Sequence, residues 1–436
     1  MIRKFAPLAL IFAMCILAAG TSLSAQPTPQ DVISRWYKLT LELIRHTPTY
    51  TPPVASRSLA YLGVTSFEVA ASGSANLQTL AGQLNELTPL PQREAGATYD
   101  DAIVMQAALS TVVQNLFSNT GPTGQHVMAA LDKKLSTEAS DGIDPALVTR
   151  SNAYGQAIAK HVLDWSQTDG AAVVENLGFP IQYTLTKGPA HWTPTNAIRL
   201  QQNPLLPNWG KNRPFAMKAG ATCDIPAPPE YSEDKTSELY KLAMEVVEAK
   251  KNMMPEQKAI AKFWADDAML TVTPPGHWIS IALQILAKEN ADTAKMTEVL
   301  AKLSVAEADA FIGCWGAKYK YDFLRPLTYI KRVIDPKWES FLNTPPFPEY
   351  PSGHSTQSGA AATVLTQIYG ENFAFTDETG LKDGNRPRSF KSFWAAAEEA
   401  GISRLYGGIH FRPAIENGLQ QGRCIGAASN SLKTRK

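Results

Sequence analysis

The chain has 436 residues, of which 44% are hydrophobic, and this is enough to bury one large core or two modest ones. It carries 41 basic and 40 acidic residues, so its formal net charge is +1. This balance excludes the strong basic excess typical of a protein whose main partner is nucleic acid or an anionic membrane.

The first 25 residues have the layout of a secretory signal peptide. Arg3 and Lys4 give a basic start, an apolar run extends from Phe5 to about Gly20, and small residues precede Ala25. The run is shorter than the roughly 20 residues that a membrane span needs, so a membrane anchor is the lesser alternative. We expect cleavage near Ala25, a periplasmic or secreted location, and no stable membrane insertion.

The remaining residues, 26–436, are interpreted as a single all-helical unit. In the N-terminal half, about 26–165, apolar residues recur at the spacing of amphipathic helices. This pattern predicts helices over 31–46, 57–71, 76–87, 99–118, 122–134 and 145–165. Residues 166–232 are rich in Pro, Gly, Asn and Trp, which predicts ordered loops wrapped over a helical core.

The C-terminal half, about 233–436, returns to helical spacing. The predicted helices cover 234–252, 255–268, 276–288, 290–302, 304–321, 352–369, 389–405 and 411–428. Alternating β patterns are scarce. We therefore expect an all-α fold built of helical bundles, with little or no β structure.

Three cysteines follow the expected signal peptide, namely Cys223, Cys314 and Cys424. An odd number leaves at most one disulfide and one free thiol. In an oxidising compartment, Cys314 with Cys424 is a possible pair.

Three segments of the C-terminal half carry residues that suit an anion site. In the first, Lys318 and Arg325 are seven residues apart, so two turns of one helix would place both cations on the same face. Pro326 would end that helix at Arg325 or just before it. Taken alone, this spacing is also typical of a solvated helix face.

The second segment is Pro351-Ser352-Gly353-His354, which precedes a helical pattern. A proline suits a helix start, Ser352 offers a hydroxyl, and Gly353 lets backbone N–H groups come close to a ligand. The partial positive charge of a helix N-terminus makes such a turn an anion site. The alternative is a serine-capped helix with an incidental histidine.

In the third segment, Arg404 and His410 are six residues apart, which would place them on different faces of an unbroken helix. Gly407 and Gly408 offer a break between them. Arg404 would then end one helix and His410 would begin the next, with both side chains facing one site. The alternative is a Gly-Gly turn between two core helices.

Together the three segments resemble the signature of the superfamily of vanadium haloperoxidases and type 2 phosphatidic acid phosphatases. That signature is similar in having Lys-x6-Arg-Pro, then Pro-Ser-Gly-His, then Ser-Arg-x5-His, and all three match here. Within the superfamily the chain looks most like the bacterial iodo- and chloroperoxidases.

The resemblance implies that the chain binds vanadate, vanadium(V), in a cationic cup. Lys318, Arg325 and Arg404 would supply the positive charge, because a buried oxyanion needs several charge-assisted donors. Ser352 and the backbone N–H of Gly353 would add directed hydrogen bonds. Phosphate, which is also tetrahedral, would compete for the same site.

Two histidines receive catalytic roles from the resemblance. His410 would coordinate the vanadium through a ring nitrogen, and His354 would be the general acid/base. Hydrogen peroxide and halide would be the substrates, and hypohalous acid the product. In a phosphatase of the superfamily, the residue equivalent to His410 would instead attack phosphorus.

Two aromatic residues favour the haloperoxidase over the phosphatase. Trp315 lies three residues before Lys318, and Phe347 lies seven residues before His354. Haloperoxidases are similar in carrying large residues at these places, which implies that both rings line a halide or substrate pocket. Ordinary core packing is the alternative for both.

One position departs from the family pattern. Members often carry an Asp four residues after the last histidine, where it orients the imidazole. Here Ala414 stands at that place. Glu416 or a backbone carbonyl would be a substitute, so the sequence leaves open which group orients His410. We interpret His277 as structural, with a place along the substrate channel as the alternative.

The leading hypothesis is a vanadate-dependent haloperoxidase that acts on iodide or bromide. One alternative is an exported acid phosphatase with His410 as its nucleophile, and another is a non-catalytic oxyanion-binding protein. The sequence leaves open the halide preference, any organic acceptor, and whether the protein is a monomer or a homodimer.

Overall fold

The structure is a computed structural model that describes residues 26–172, 183–195, 203–218 and 220–436. The expected signal peptide lies outside the described residues. Within these ranges the chain forms thirteen α-helices: α1 Pro29–His46, α2 Pro52–Gly73, α3 Asp101–Leu116, α4 Gly121–Ser140, α5 Pro145–Ser166, α6 Glu238–Lys251, α7 Pro255–Phe263, α8 Thr273–Lys288, α9 Thr293–Tyr321, α10 Pro326–Val333, α11 Gly353–Tyr369, α12 Phe393–Tyr406 and α13 Arg412–Asn430.

A single short hairpin is the β structure of the described residues. Strand β1, Phe375–Asp377, pairs antiparallel with β2, Arg388–Phe390, and Phe375 lies opposite Phe390. The expected all-α fold with little β structure is therefore confirmed.

Several helices begin at a proline, as at Pro29, Pro52 and Pro145. Proline suits the first helical position because its fixed φ is already helical and its missing N–H would have no partner there. Before α1, the Thr28 side chain accepts from the backbone N–H of Asp31, and the Asp31 carboxylate accepts from the backbone N–H of Thr28. These local signals explain why many predicted helices start close to the observed ones.

The predicted helix over 76–87 is wrong. Residues 74–100 form turns and extended stretches. Gly82 and Glu86 have φ values of +75° and +61°, which an α-helix does not contain. The helical spacing came from leucines that the turns direct into the core: Leu77, Leu80, Leu84 and Leu87.

The C-terminal half also differs from expectation in one merged pair of helices, one helix end and one helix that was not predicted. The predicted helices 290–302 and 304–321 are one continuous helix, α9, in which the Ser304 hydroxyl donates to the Leu300 carbonyl one turn before it. Helix α7 ends at Phe263 rather than 268, because Asp266 adopts φ +48°. The sequence pattern did not predict α10.

Helices of both sequence halves contribute to the larger of two buried apolar clusters. Helix α2 packs on α9, and α11 packs against α9, α12 and α13. The long helix α9 therefore contacts helices of both halves. The interpretation of residues 26–436 as one unit stays a prediction.

The described parts of the Pro-rich middle segment are held to α9 by buried polar groups. The Asp309 carboxylate accepts from the backbone N–H groups of Phe215, Ala216 and Met217 at 2.6–2.9 Å. The Leu205 carbonyl accepts from the Trp315 indole at 3.0 Å. In the described ranges this segment is therefore ordered, and its regular structure is limited to two short 3-10 helices, Trp209–Lys211 and Gly220–Cys223.

The suggested pairing of Cys314 with Cys424 is wrong. Cys223 and Cys424 form the disulfide, and Cys314 is a free, buried thiol. The Cys314 side chain instead lies beside Gly353, with Sγ 4.0 Å from an ideal Cβ position there. Cys223 lies in a short 3-10 turn, Gly220–Cys223, that contacts α13, and the sequence spacing does not reveal this contact.

Within the described residues, none of the helices combines the length and the apolar character needed to cross a bilayer.

Candidate oxyanion site

Lys318 reaches the site from α9, and Arg325 reaches it from the residue just before α10. Helix α9 ends at Tyr321, and Asp322 turns the chain with φ +47°. Arg325 is the residue before α10, with an extended backbone. The expectation that one helix face carries both cations is wrong, although both side chains reach the same buried region.

Lys318 is fully buried, and its ammonium group lies among three backbone carbonyls. Nζ donates to Pro348 and Glu349 at 2.9 and 3.0 Å, and also to Pro351. Burial lowers the pKa of Lys318 to about 7. Lys318 therefore fixes the turn that leads into α11, besides adding positive charge to the site.

Arg325 is fully buried and only partly satisfied by the protein. Nε donates to the Phe347 carbonyl at 3.0 Å, and Nη1 donates to the Ile409 carbonyl at 2.9 Å. Nη1 also lies 3.0 Å from Nε2 of His410. Nη2 has no hydrogen-bond partner among the described residues. Burial lowers the pKa of Arg325 to about 10, which leaves it a cation at neutral pH.

Arg404 lies in the last turn of α12 and is also buried. Nη1 donates to the Trp264 carbonyl at 2.8 Å and lies 2.8 Å from Nε2 of His354. Its Nε and Nη2 atoms have no partner among the described residues. Burial lowers the pKa of Arg404 to about 10. Both arginines thus keep N–H groups for a ligand.

The break between α12 and α13 places His410 as the sequence predicted. Gly408 adopts φ +74°, and His410 lies two residues before α13. Because an arginine only donates, Nε2 of His410 must accept from Arg325 and carry a lone pair. Burial, with the charges of Arg325 and Lys318, lowers the pKa of His410 well below its usual value.

Glu349 is the partner that orients His410. Its Oε1 atom lies 2.8 Å from Nδ1 of His410 and accepts from the Phe411 backbone N–H at 2.9 Å. Burial raises the pKa of Glu349 to about 7, against the opposing effect of Arg325. Glu416 is not the substitute, since it lies on the surface 3.8 Å from Arg412.

Sequence reasoning missed Glu349, although one signal was present. It is a single acidic residue within the apolar, proline-rich run 345–351. An acidic residue in such a run is buried only when a partner satisfies it, which marks it as a candidate for a functional contact.

Helix α11 begins at the predicted Ser-Gly-His turn. The Ser352 hydroxyl accepts from the Ser355 backbone N–H at 3.3 Å, and the Ser352 N–H donates to the Ala414 carbonyl at 2.9 Å. His354 Nε2 accepts from Arg404, so it also carries a lone pair. Burial and the Arg404 charge lower the pKa of His354 well below its usual value.

Two aromatic rings cover the cations. The Trp315 and Phe347 rings have centroids 4.9 Å apart. Lys318 Nζ and Arg325 Cζ each lie 5.0 Å from the Phe347 centroid. Trp315 is fully buried and Phe347 partly buried. Phe347 therefore borders the cup, and the Trp315 ring lies beside it, with its centroid 5.9 Å from Lys318 Nζ.

The structure brings the predicted charged residues into one buried region. Lys318 and two guanidinium cations face two neutral imidazoles, and the guanidinium N–H groups that have no partner among the described residues require an acceptor. A tetrahedral oxyanion meets this requirement, because each of its oxygens accepts charge-assisted hydrogen bonds. In the described residues, no group of three or more His, Cys, Asp or Glu side chains forms an ordinary metal site.

Comparisons with known proteins point to the same kind of site. The family model described as the VCPO second helical-bundle domain matches residues 298–435. The vanadium chloroperoxidase of Curvularia inaequalis is 27% identical over 219 residues, which are 36% of this chain and 36% of that protein. The chain thus matches only about a third of the length of this curated relative.

Two solved structures are similar over almost their whole length. The first bacterial vanadium-dependent iodoperoxidase superposes with a TM-score of 0.85 at 37% identity, covering 95% of this chain and 99% of that one. A holo-type bacterial vanadium-dependent chloroperoxidase, at 18% identity, shares the fold with a TM-score of 0.68 and covers 93% and 95% of the two chains. By its match to the iodoperoxidase, the chain belongs to the vanadium-dependent haloperoxidases, a family of peroxidases.

Proposed function

We propose that the chain binds vanadate and oxidises a halide, iodide or bromide, with hydrogen peroxide. The balanced reaction consumes halide, peroxide and one proton, and yields hypohalous acid and water. The observation that carries the proposal is the pair of buried guanidinium groups, Arg325 and Arg404, whose remaining N–H groups have no partner among the described residues. Family membership supports the choice of vanadate over other oxyanions.

The donors of the site fit vanadate. Arg325 Nη2 and Arg404 Nε and Nη2 would donate to its oxygens, with Ser352, the Gly353 N–H and the Lys318 charge as further contributions. When bound, vanadate would supply a Lewis acid that activates peroxide toward halide.

His410 is suited to hold the metal through Nε2. Its Nδ1–H donates to Glu349, which fixes the tautomer and leaves the Nε2 lone pair for coordination. In its ionised form, Glu349 also makes the opposite nitrogen a stronger electron donor. Ligand binding would exchange the contact between Nε2 and Arg325 for one with the metal.

His354 is suited to accept a proton. Its neutral imidazole has the Nε2 lone pair directed at Arg404, within the region that the oxyanion would enter. The low pKa, caused by burial and by Arg404, keeps this nitrogen unprotonated near neutral pH. His354 can therefore take a proton from incoming peroxide and return it to a departing oxygen.

Iodide is the halide that a moderately activating site oxidises most easily. Of the two similar solved structures, the one with the higher sequence identity is an iodoperoxidase. Phe347, which borders the cup, presents an apolar surface that suits a large and weakly hydrated anion. We place the protein outside the cytoplasm, because the Cys223–Cys424 disulfide requires an oxidising compartment and the N-terminal pattern resembles a signal peptide. Phosphate would compete with vanadate.

The test is iodide oxidation by peroxide, measured with the purified protein before and after addition of orthovanadate. We expect activity that depends on vanadate, that phosphate suppresses, and that His410→Ala abolishes. His161→Ala, a change of a histidine hydrogen-bonded to Thr88 on the surface, is the control. Phosphate-ester hydrolysis that vanadate inhibits would favour the phosphatase instead, and vanadate binding without either activity would indicate a binding protein.

A further inference from the structure

His277 lies near the start of α8 and is enclosed by two carboxylates. Nδ1 is 3.0 Å from each oxygen of Asp266, and Nε2 is 2.7 Å from Oδ2 of Asp377. The side chain is 2% exposed. Both ring nitrogens must carry a hydrogen to serve two carboxylates, so the ring is an imidazolium. Burial opposes this charge, but the two carboxylates outweigh it and raise the pKa of His277 to about 10.

The His277 cluster, defined as Asp266, His277 and Asp377, is connected to the oxyanion cup through the Trp264–Asp266 turn. The Trp264 ring stacks on the His277 ring with centroids 4.6 Å apart. The backbone carbonyls of Trp264 and Ala265 accept from Nη1 of Arg404 at 2.8 and 3.5 Å. Asp266 follows with φ +48°, a conformation that costs a non-glycine residue energy. His277 therefore holds this turn by a ring contact and an ion pair.

The turn determines how Arg404 presents its free N–H groups. Nη1 of Arg404 is fixed between the Trp264 carbonyl and His354 Nε2, both at 2.8 Å. Nε and Nη2 of the same planar group are the atoms without a partner among the described residues. Because the guanidinium is rigid, a shift of the carbonyl would rotate Nε and Nη2 away from the cup.

The start of α8 also reaches the helix that carries His354. The Pro274 carbonyl accepts from Nε2 of Gln357 at 3.1 Å. Gln357 lies one turn after His354 in α11. Thus α8 contacts both sides of the Arg404–His354 pair.

We propose that His277 is a positioning residue that orients Arg404 toward the oxyanion by fixing the Trp264–Asp266 turn. The proposal rests on the proposed function for the identity of the ligand. It differs from ordinary stabilisation by a buried ion pair, which would strengthen the fold without changing the affinity for an anion. His277 does not touch the ligand itself.

The experiment compares His277→Asn with Asp169→Asn in the vanadate-free protein. Asp169 forms another buried ion pair, with Arg57 in α2, and does not contact the Trp264–Asp266 turn. Isothermal titration gives the Kd for orthovanadate and, as a second probe, for inorganic phosphate. We expect both variants to lower the Tm. His277→Asn should also raise both Kd values about tenfold, whereas Asp169→Asn should leave them within twofold of the parent.

A second variant keeps the proposal testable if His277→Asn does not fold. Asp377→Asn retains the size of the side chain and the Oδ1 acceptor for the Thr379 N–H, and removes the negative charge together with the acceptor of His277 Nε2–H. We expect both Kd values to rise about threefold, because the ring is then held on one side only.

The outcomes separate this proposal from the proposed function. If the parent does not bind orthovanadate, the proposed function fails. If the parent binds it, and the folded His277 or Asp377 variant binds it with an unchanged Kd and a lowered Tm, then His277 is purely structural and the positioning role is rejected.

Discussion

The orientation of the His410 imidazole depends on one buried carboxylate, that of Glu349. Oε1 of Glu349 accepts from the imidazole and from the next backbone N–H, while Oε2 has no partner among the described residues. The carboxylate is held in place by the chain itself, since Lys318 donates to the carbonyl of the same residue. Glu349 thus links the orientation of the imidazole to the position of the Lys318 ammonium group.

We predict that Glu349→Gln weakens vanadate binding and halide oxidation. The amide keeps one acceptor for Nδ1–H but removes the negative charge, and loss of such partners typically costs a factor of about 10 to 100. Titration with orthovanadate and an iodide oxidation assay measure the two effects. Glu416→Gln is the matched control, because this carboxylate pairs with Arg412 on the surface. An effect of Glu416→Gln equal to that of Glu349→Gln would refute the assignment.

At the scale of residues, motif spacing was sufficient to predict the cations and histidines of the cup. Lys318, Arg325, Arg404 and His410 meet in one region as expected. The partner of His410 was not predictable, because it depends on the path of the loop over 344–351 and not on spacing from the histidine. Likewise, nothing near His277 in the sequence points to Asp377, which comes from the hairpin one hundred residues later.

Close packing of α11 on α13 sets the distance between the Ser352 turn and His410. Glycines at four-residue spacing, Gly418, Gly422 and Gly426, line the face of α13 toward α11. A Cβ at Gly422 would lie 2.1 Å from the Thr356 carbonyl oxygen, which is backbone and cannot move alone. The two helices therefore approach as closely as they do only because this face lacks side chains.

We predict that Gly422→Ala destabilises the protein and weakens vanadate binding together. The added methyl group would force α11 and α13 apart, which typically costs about 1–3 kcal/mol of the free energy of unfolding. Chemical denaturation followed by circular dichroism measures the first effect, and orthovanadate titration the second.

The matched control for this change is Gly316→Ala in α9. Its Cβ would meet its nearest neighbour, Gly210 Cα, at an ordinary 3.8 Å. In that helix interior, alanine should be neutral or stabilising by up to about 1 kcal/mol. Equal destabilisation by both substitutions would show that the close approach of α11 and α13 is not the cause.

At the scale of the helices, the sequence predicted a helix start or end correctly where a local signal, such as a proline or a glycine, marks it. The break at Gly407 and Gly408 was predicted from glycine alone and is confirmed. The failure over 76–87 has a physical cause, because buried leucines on successive turns imitate the spacing of a helix. The short helix α10 was missed because Pro326, its first residue, was interpreted only as the end of the preceding helix.

At the scale of the molecule, the Cys223–Cys424 disulfide joins the irregular segment to α13. The two cysteines are 201 residues apart in sequence. A cross-link over so long a loop restricts the unfolded chain strongly. The bond therefore stabilises the packing of α13, and with it the position of His410 just before that helix.

We predict that Cys223→Ser lowers the free energy of unfolding by about 4 kcal/mol under oxidising conditions. Guanidinium unfolding with and without reductant measures this change, and the variant should no longer respond to reductant. Cys314→Ala is the control and should keep the full response, because Cys314 is free. A response lost in Cys314→Ala but kept in Cys223→Ser would contradict the observed pairing.

The helical class of the whole molecule was predictable because periodicity is repeated along most of the chain. The pairing of the cysteines was not, since three thiols allow three pairs and only the folded path selects one. The contact that holds the middle segment to α9 was also not predictable from the sequence. It depends on Asp309, a carboxylate buried in α9 that collects three backbone N–H groups.

The disulfide has a further consequence for how the site assembles. Lys318, Arg325, Ser352, Arg404 and His410 all lie between Cys223 and Cys424, so the intact bond encloses every charged group of the cup in one covalent loop. After denaturation without reductant, these groups remain within a tethered stretch, while α1 to α5 regain the full freedom of an open chain. In an oxidising environment, the bond would therefore lower the entropic barrier to forming the anion pocket. It would not lower the barrier to packing helices α1 to α5 against the rest of the chain.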